Sequence, residues 1–317
     1  MPRTDPDPAT LLQQALAGDV RSRARLFSLI ENGGAAAQAA LSALAPLAGR
    51  ACVVGITGPP GAGKSTLIGR LAGEIRRRGQ TVAILAVDPS SPLTGGAVLG
   101  DRIRMQELHG DSGAYVRSLS TRGAVGGLAR AVGDMVVVAD ALGYDVVLVE
   151  TVGAGQDEAD IDGVTPTVVL VEVPHLGDDV QAIKAGILEL ADILVVNKAD
   201  RGGADQAVAI LRAMLSLGHR HEPWHPPIVK TAATTGEGVP KLLEAIRDHQ
   251  TYLQQDGRLA AWRTGRVRTQ LLTAFRDRIL AQALARVSAE QLEALVDDVA
   301  SRQISLDQAV DRLLKRD

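Results

Sequence analysis

The pattern of hydrophobic and polar positions divides the chain into three zones. Over residues 9–48, Leu12, Leu16, Leu26, Leu29, Ile30, Leu41 and Leu44 recur at helical spacing, and Gly33-Gly34 predicts a break between helices. From Cys52 the period changes. The runs "CVVGIT", "TVAILAVD", "AYVRSLS", "DVVLVE", "TVVLVE", "DILVVNKAD" and "PIVKTAA" each lead into a polar or glycine-rich turn. Runs that are apolar throughout, rather than alternating, suit strands covered on both faces. Helical stretches such as 67–78 and 178–190 lie between most of them. That alternation predicts an α/β fold with a doubly wound, mostly parallel sheet. Ligands in such sheets bind beyond the carboxyl ends of the strands, where the motifs below fall.

From about His249 the strands stop. Leu271, Leu272, Phe275, Ile279, Ala283 and Leu284 form one helical stripe, and Ser288 with Gln291 and Ser305 with Gln308 fit capping boxes. A last helix is expected to bury Ala309, Val310, Leu313 and Leu314. The expected organisation is a helical extension over 1–50, a nucleotide-binding domain over 51–248 and a helical arm over 249–317. The apolar faces of the arm need a cover, either the chain's own sheet or a second copy; two-fold dimers are the commonest soluble oligomers.

Composition narrows the function classes. Of 317 residues, 46% are hydrophobic and 22% charged, as in a soluble globular protein. A net charge of −3 and 2% aromatics argue against a nucleic-acid partner. No apolar run approaches the roughly 18 residues of a membrane span, and "MPRTDPDPAT" has no apolar signal core, so a cytoplasmic location is expected. The single cysteine, Cys52, reads as a small buried hydrophobe in a reducing compartment.

The chemistry starts at Gly58-Pro59-Pro60-Gly61-Ala62-Gly63-Lys64-Ser65-Thr66, which fits G-x-x-x-x-G-K-[ST] after a strand and opening a helix. Glycines let backbone amides curl around phosphate, and the helix N-terminus adds partial positive charge. Lys64 is placed to reach the β- and γ-phosphates, and the Ser65 hydroxyl to ligate Mg²⁺. "LVVNKAD" then puts Asn197, Lys198 and Asp200 past a buried strand. A carboxylate at Asp200 can accept from the guanine ring N–H and its exocyclic amine; adenine offers neither and would leave a buried carboxylate unpaired. Thr231, Ala232 and Ala233 in "TAATTGEG" are similar to the backbone loop that touches the guanine carbonyl in GTPases. The expected ligands are GTP or GDP with Mg²⁺.

"DVVLVETVGAGQDE" ends a strand at Glu150 and continues to Gly153. GTPases usually carry D-x-x-G here, the acid holding Mg²⁺ through water and the glycine amide meeting the γ-phosphate; this chain has E-x-x-G. Gln156 stands at a different offset from Gly153 than the water-positioning glutamine of small signalling GTPases. Asp88 ends "TVAILAVD" facing the nucleotide, and Asp101 lies on a glycine-rich loop within reach of Mg²⁺ or the lytic water. Both also fit turn or cap positions.

Together, "GPPGAGKST", "VDPSSPLTGGAVLGDRIRM", "VETVGAGQDEADI" and "GILELADILVVNKAD" resemble the MeaB/ArgK family of P-loop GTPases, chaperones of adenosylcobalamin-dependent methylmalonyl-CoA mutase. The resemblance implies a homodimer with helical extensions and slow GTP hydrolysis accelerated by the mutase. It also implies a nucleotide state that gates cofactor loading and release of damaged cofactor. By motif, Asp88, Asp101 and Glu150 fall where the family places Mg²⁺ and switch carboxylates, and Lys184 falls in its additional switch segment. This chain departs there: the family usually reads G-D-E-x-Q after an alanine-glycine pair, whereas here "PHLGDDVQ" has Asp179 for the glutamate and His175-Leu176 before it. The client is then methylmalonyl-CoA mutase or a relative acting on another acyl-CoA.

Two other classes stay open. A metallochaperone GTPase would use His219, His221 and His225, which have metal-like spacing, although such proteins generally supply cysteines or a dense histidine tract. A kinase or transport ATPase follows from the ArgK label, and Asp200 argues against it. The basic clusters at 76–79 and 263–268 read as solvated helix ends, the second alternatively meeting a partner or coenzyme A phosphates.

Overall fold

The computed structural model describes residues 7–88, 110–120, 127–151, 161–174, 185–217 and 223–314. The chain divides into two compact units, Met1–Leu259 and Ala260–Asp317. The first begins with α1 (Pro8–Leu16), α2 (Val20–Asn32) and α3 (Gly34–Leu44). Gly33 takes a positive φ of 72° as the cap between α2 and α3, the break its sequence predicts.

Seven strands follow: β1 (Cys52–Thr57), β2 (Val82–Asp88), β3 (Ala114–Ser120), β4 (Val146–Thr151), β5 (Thr167–Glu172), β6 (Ile193–Val196) and β7 (Ile228–Lys230). Every ladder is parallel, in the order β3-β2-β4-β1-β5-β6-β7. Between them run α4 (Lys64–Arg77), α5 (Gly127–Ala141), α6 (Ala185–Leu190), α7 (Ala204–Leu217) and α8 (Val239–Gln254). The chain winds outward from β1 on one side through β2 and β3. It returns to β4, then crosses to β5 on the other side, so β1 sits at the switch point where a ligand crevice opens.

Successive residues of the strands serve two faces. Val54, Ile56, Leu148, Val169, Val171 and Val195 cluster with Leu67, Ile68, Leu71 and Ile75 of α4 and Leu242, Leu243 and Ile246 of α8. Val53, Leu85, Val147 and Val149 cluster with Met135 and Ala139 of α5 and with Leu26, Phe27, Ile30 and Leu44 of the N-terminal helices. Leu170, Leu194 and Val196 join Leu188 of α6 and Val208 and Leu211 of α7. Both faces are therefore dry, which explains the uninterrupted apolar runs. Full burial of a side chain such as Leu71 or Ile84 contributes about 1.5–3 kcal/mol.

Polar side chains fix how the N-terminal helices join the sheet. Asp140 of α5, itself buried, accepts from the amides of Gly49 at 2.5 Å, Arg50 at 3.1 Å and Ala51 at 3.0 Å, just before β1. Phe27 stacks on Tyr115 with ring centroids 4.6 Å apart, and Glu31 pairs with Arg117. Cys52 is buried, and burial pushes its thiol up to about 12, which makes it inert as a nucleophile.

At the opposite end of the sheet from the strands' carboxyl ends, His249 of α8 is 2% exposed. Its Nδ1 lies 3.0 Å from Thr167 Oγ1 and its Nε2 3.5 Å from Asp192 Oδ1. Burial pushes its pKa from 6.5 down to about 4, so the ring is neutral despite the nearby carboxylate. Between those two values the unfolded chain binds more protons than the folded one. Stability is therefore complete above pH 6.5 and falls as pH drops toward 4, by about 3 kcal/mol at most. Urea midpoints followed from pH 7 to 4.5 are expected to decline more steeply for the native chain than for His249→Gln; parallel declines would show that the ring does not contribute.

The second unit holds most of α9 (Arg258–Leu284), with α10 (Ala289–Ala300) and α11 (Leu306–Leu314). Both expected capping boxes form: Gln291 N donates to Ser288 Oγ at 3.2 Å, and Gln308 N to Ser305 Oγ at 3.2 Å. The last helix departs from expectation. Ala309 is buried, but Val310 and Leu314 are 44% and 68% exposed: helical spacing puts them on a shared face without supplying a cover for it. Leu271, Leu272, Phe275 and Ile279 on α9 are exposed as well. No helix of the described residues is long and apolar enough to cross a membrane.

Candidate functional site

The site is built at the carboxyl ends of β1, β4, β5, β6 and β7. From Thr57 the chain leaves β1 into a loop that needs glycine at three positions. Gly58, Gly61 and Gly63 have φ of 140°, 77° and 89°. A Cβ on Gly58 would lie 2.1 Å from Val171 O, and one on Gly63 2.6 Å from Asn197 Nδ2. The loop is thus pressed between β5 and the loop after β6. Ala62 N donates to Pro59 O at 3.2 Å, and Pro60 and Gly61 form the exposed crest.

The helix α4 starts at Lys64 with no side-chain cap, its first-turn amides facing the loop, as an anion cradle requires. Thr66 sits half buried in that turn. Lys64 is buried and its Nζ donates to Gly58 O at 2.7 Å and Pro59 O at 3.1 Å, which draws the loop around the ammonium. Ser65 Oγ donates to Glu150 Oε1 at 2.7 Å in a buried contact. A hydroxyl and a carboxylate meeting beside a phosphate cradle form an oxygen donor set suited to Mg²⁺. The longer glutamate reaches the serine that the usual aspartate serves.

The 197–200 and 231–234 loops lock onto this cradle. Asn197 is buried; its Nδ2 donates to Ala62 O at 2.8 Å, while its Oδ1 accepts from Thr231 Oγ1 at 3.0 Å and Ala233 N at 3.1 Å. Lys198 takes a left-handed φ of 58°, and its Nζ donates to Gly61 O at 2.6 Å, laying its stem across the loop. Ala232 and Ala233 are buried, and Ala199 N donates to Thr231 O at 3.0 Å. Asp200 is exposed just beyond them, so the fold alone does not desolvate its carboxylate. One chain segment thus ties phosphate loop, Asn197 and the 231–233 loop into a single frame.

A family model described as methylmalonyl-CoA mutase-associated GTPase MeaB matches residues 23–288. The chain belongs to the MeaB family. A putative GTPase of Pyrococcus abyssi is 46% identical over 96% of this chain and 95% of its own length. The GTPase ArgK of Escherichia coli is 36% identical over 79% and 78%. A crystal structure described as a LAO/AO transport system kinase superposes with a TM-score of 0.73 at 27% identity, covering 97% of this chain and 96% of that one. Family and fold make this MeaB-family chain a P-loop enzyme that hydrolyses GTP, and membership implies GTP or GDP with Mg²⁺ as ligands.

Of the expected site residues, the structure brings together Gly58 to Thr66, Glu150, Asn197, Lys198, Asp200 and Thr231 to Ala233. Asp88 ends β2, beside the end of β4 that carries Glu150. Asp101, Gly153, Gln156, Asp179 and Lys184 lie outside the described residues, as do His219 and His221. Among the described residues no group of three or more His, Cys, Asp or Glu is placed to hold a metal ion.

Two residues at the site escaped the sequence reading. Glu172 ends β5 as a buried carboxylate, with its backbone O accepting from Asn197 N at 2.8 Å. Its signal was present: an acid closing the apolar run "TVVLVE", as Glu150 closes "DVVLVE". Arg70 of α4 donates to the 231–234 loop, a contact no local pattern announces.

Proposed function

We propose that this MeaB-family GTPase is a nucleotide-dependent switch and chaperone for an adenosylcobalamin-dependent acyl-CoA mutase, gating cofactor loading and protecting the mutase. The observation that carries the reading is the family match over residues 23–288, whose description names methylmalonyl-CoA mutase. A mouse relative, 36% identical over 83% of this chain and 64% of its own length, is described as a mitochondrial methylmalonic aciduria type A homolog. In this reading residues 51–248 bind nucleotide and residues 249–317 form a dimerisation arm. The exposed Leu271, Leu272, Phe275 and Ile279 on α9 support a second copy as its cover.

Hydrolysis is mostly positioning and charge neutralisation. The 58–66 amides and Lys64 hold the β- and γ-phosphates as charge shifts toward the leaving oxygen. Ser65 and Glu150 would hold Mg²⁺, which would supply Lewis-acid polarisation of the phosphate oxygens. Asp200 and the 231–233 loop hold the guanine. Asp101, Gly153 and Lys184 belong to the switch segments that complete the site.

Phosphate release from GTP, measured with and without purified cobalamin-dependent acyl-CoA mutases, tests the reading. A rise of at least about tenfold with one client is expected; a group supplied by a partner accelerates such sites by up to about 10³–10⁵-fold. No response to any of them removes the chaperone role and leaves the GTPase. A kinase reading draws on the description of the superposing transport-system protein. It predicts ATP preference and a labelled acceptor protein, and Asp200 in N-K-A-D opposes it.

A further inference from the structure

We propose that Arg70 is a positioning residue for guanine recognition, acting through the backbone of the 231–234 loop. The inference rests on the reading of that loop as the contact for the guanine 6-oxygen. Arg70 lies on α4, half buried, with Nε donating to Ala233 O at 3.2 Å and Nη2 to Thr234 O at 3.0 Å. The loop is otherwise a tight turn. Thr235 N and Gly236 N donate to Ala232 O at 3.1 and 2.9 Å, and Ala232 N donates to Glu237 O at 3.0 Å. Those bonds use the Ala232 carbonyl; the next two carbonyls go to the guanidinium.

The consequence is directional. A trans peptide points its N–H opposite its C=O, so anchoring Ala233 C=O on α4 turns Thr234 N–H to the far side of the loop. Next to it, Ala233 N–H is held 3.1 Å from Asn197 Oδ1, the first residue of the base-reading motif. That bond spends the Ala233 N–H, so the Thr234 N–H, turned by the Arg70 anchor, is the amide we assign to the carbonyl oxygen of a purine. Arginine suits the task because it is always charged and its fork holds two acceptors at once; lysine offers a point charge. A single rigid helix then serves both ends of the nucleotide. Lys64 and Ser65 stand in its first turn, and Arg70 at the end of its second aligns the base loop.

The test compares affinities for GDP, 6-thio-GDP and inosine diphosphate in the native chain and in Arg70→Ala, Arg70→Gln and Arg70→Lys. The 6-thio analogue keeps the ring N–H and the amine but replaces the 6-oxygen with a poor acceptor. Inosine diphosphate keeps the 6-oxygen and lacks the amine that Asp200 reads. The native chain is expected to prefer GDP over the 6-thio analogue by about tenfold, the value of one hydrogen bond. Arg70→Ala and Arg70→Gln narrow that preference to about twofold, Arg70→Lys lies between, and the GDP-to-inosine-diphosphate ratio stays unchanged in all. Having three variants keeps the test decisive if one fails to fold. A tenfold preference retained in folded variants, or an equal loss for all three nucleotides, overturns the positioning role. A native chain indifferent to the 6-oxygen overturns the reading of the loop itself, and the proposal with it.

Discussion

Replacing Lys64 by alanine will lower kcat/KM for GTP by about a thousandfold, roughly 4 kcal/mol of transition-state stabilisation. The ammonium is held 2.7 Å from Gly58 O and 3.1 Å from Pro59 O, inside the loop proposed above to hold the phosphates. Its charge acts at short range in a buried position, where it is screened little by water. Arginine at this position will not restore the rate, because a planar fork is too large for a loop pinned between Val171 O and Asn197. Single-turnover phosphate release, with circular dichroism melting as the control for folding, checks both variants. More than a tenth of the native rate in a folded Lys64→Ala protein would remove Lys64 from the mechanism.

Asp200→Asn is expected to weaken GTP by about a hundredfold or more and to favour xanthosine triphosphate. Xanthine carries a carbonyl where guanine carries its amine, so the asparagine amide donates where the carboxylate accepted. Asp200 is exposed, so the substitution leaves the melting temperature almost unchanged. That separates recognition from stability. Competition binding with the two triphosphates reads the effect directly, and an unaltered base preference would refute the guanine assignment.

The parts of this molecule legible in its sequence are those whose signals are local. Gly58 to Thr66 are contiguous, so strand, glycine turn and lysine are read in one window, and the structure places them as expected. The parallel sheet was legible because strands dry on both faces lose alternation altogether. Asn197 and Lys198 carried their motif, but the motif did not show that Asn197 binds Ala62, Thr231 and Ala233 at once. Arg70 was invisible for the same reason: its partners lie more than 160 residues away, and an arginine on a helix is ordinarily a solvated one. The last helix misled in the other direction. Its apolar spacing was correct, but spacing says which residues share a face, not whether anything covers them, and Val310 and Leu314 are exposed. Asp200 likewise is exposed, and a motif says which residue types stand together, not how far each is buried.

Calorimetric titration of the native chain with magnesium-GDP and magnesium-ADP tests most directly whether one pocket both grips phosphates and reads guanine. The account predicts one site per chain, GDP binding at least about a hundredfold tighter than ADP, and loss of that gap in Asp200→Asn. Equal affinity for the two diphosphates, or a gap that survives the substitution, would contradict it.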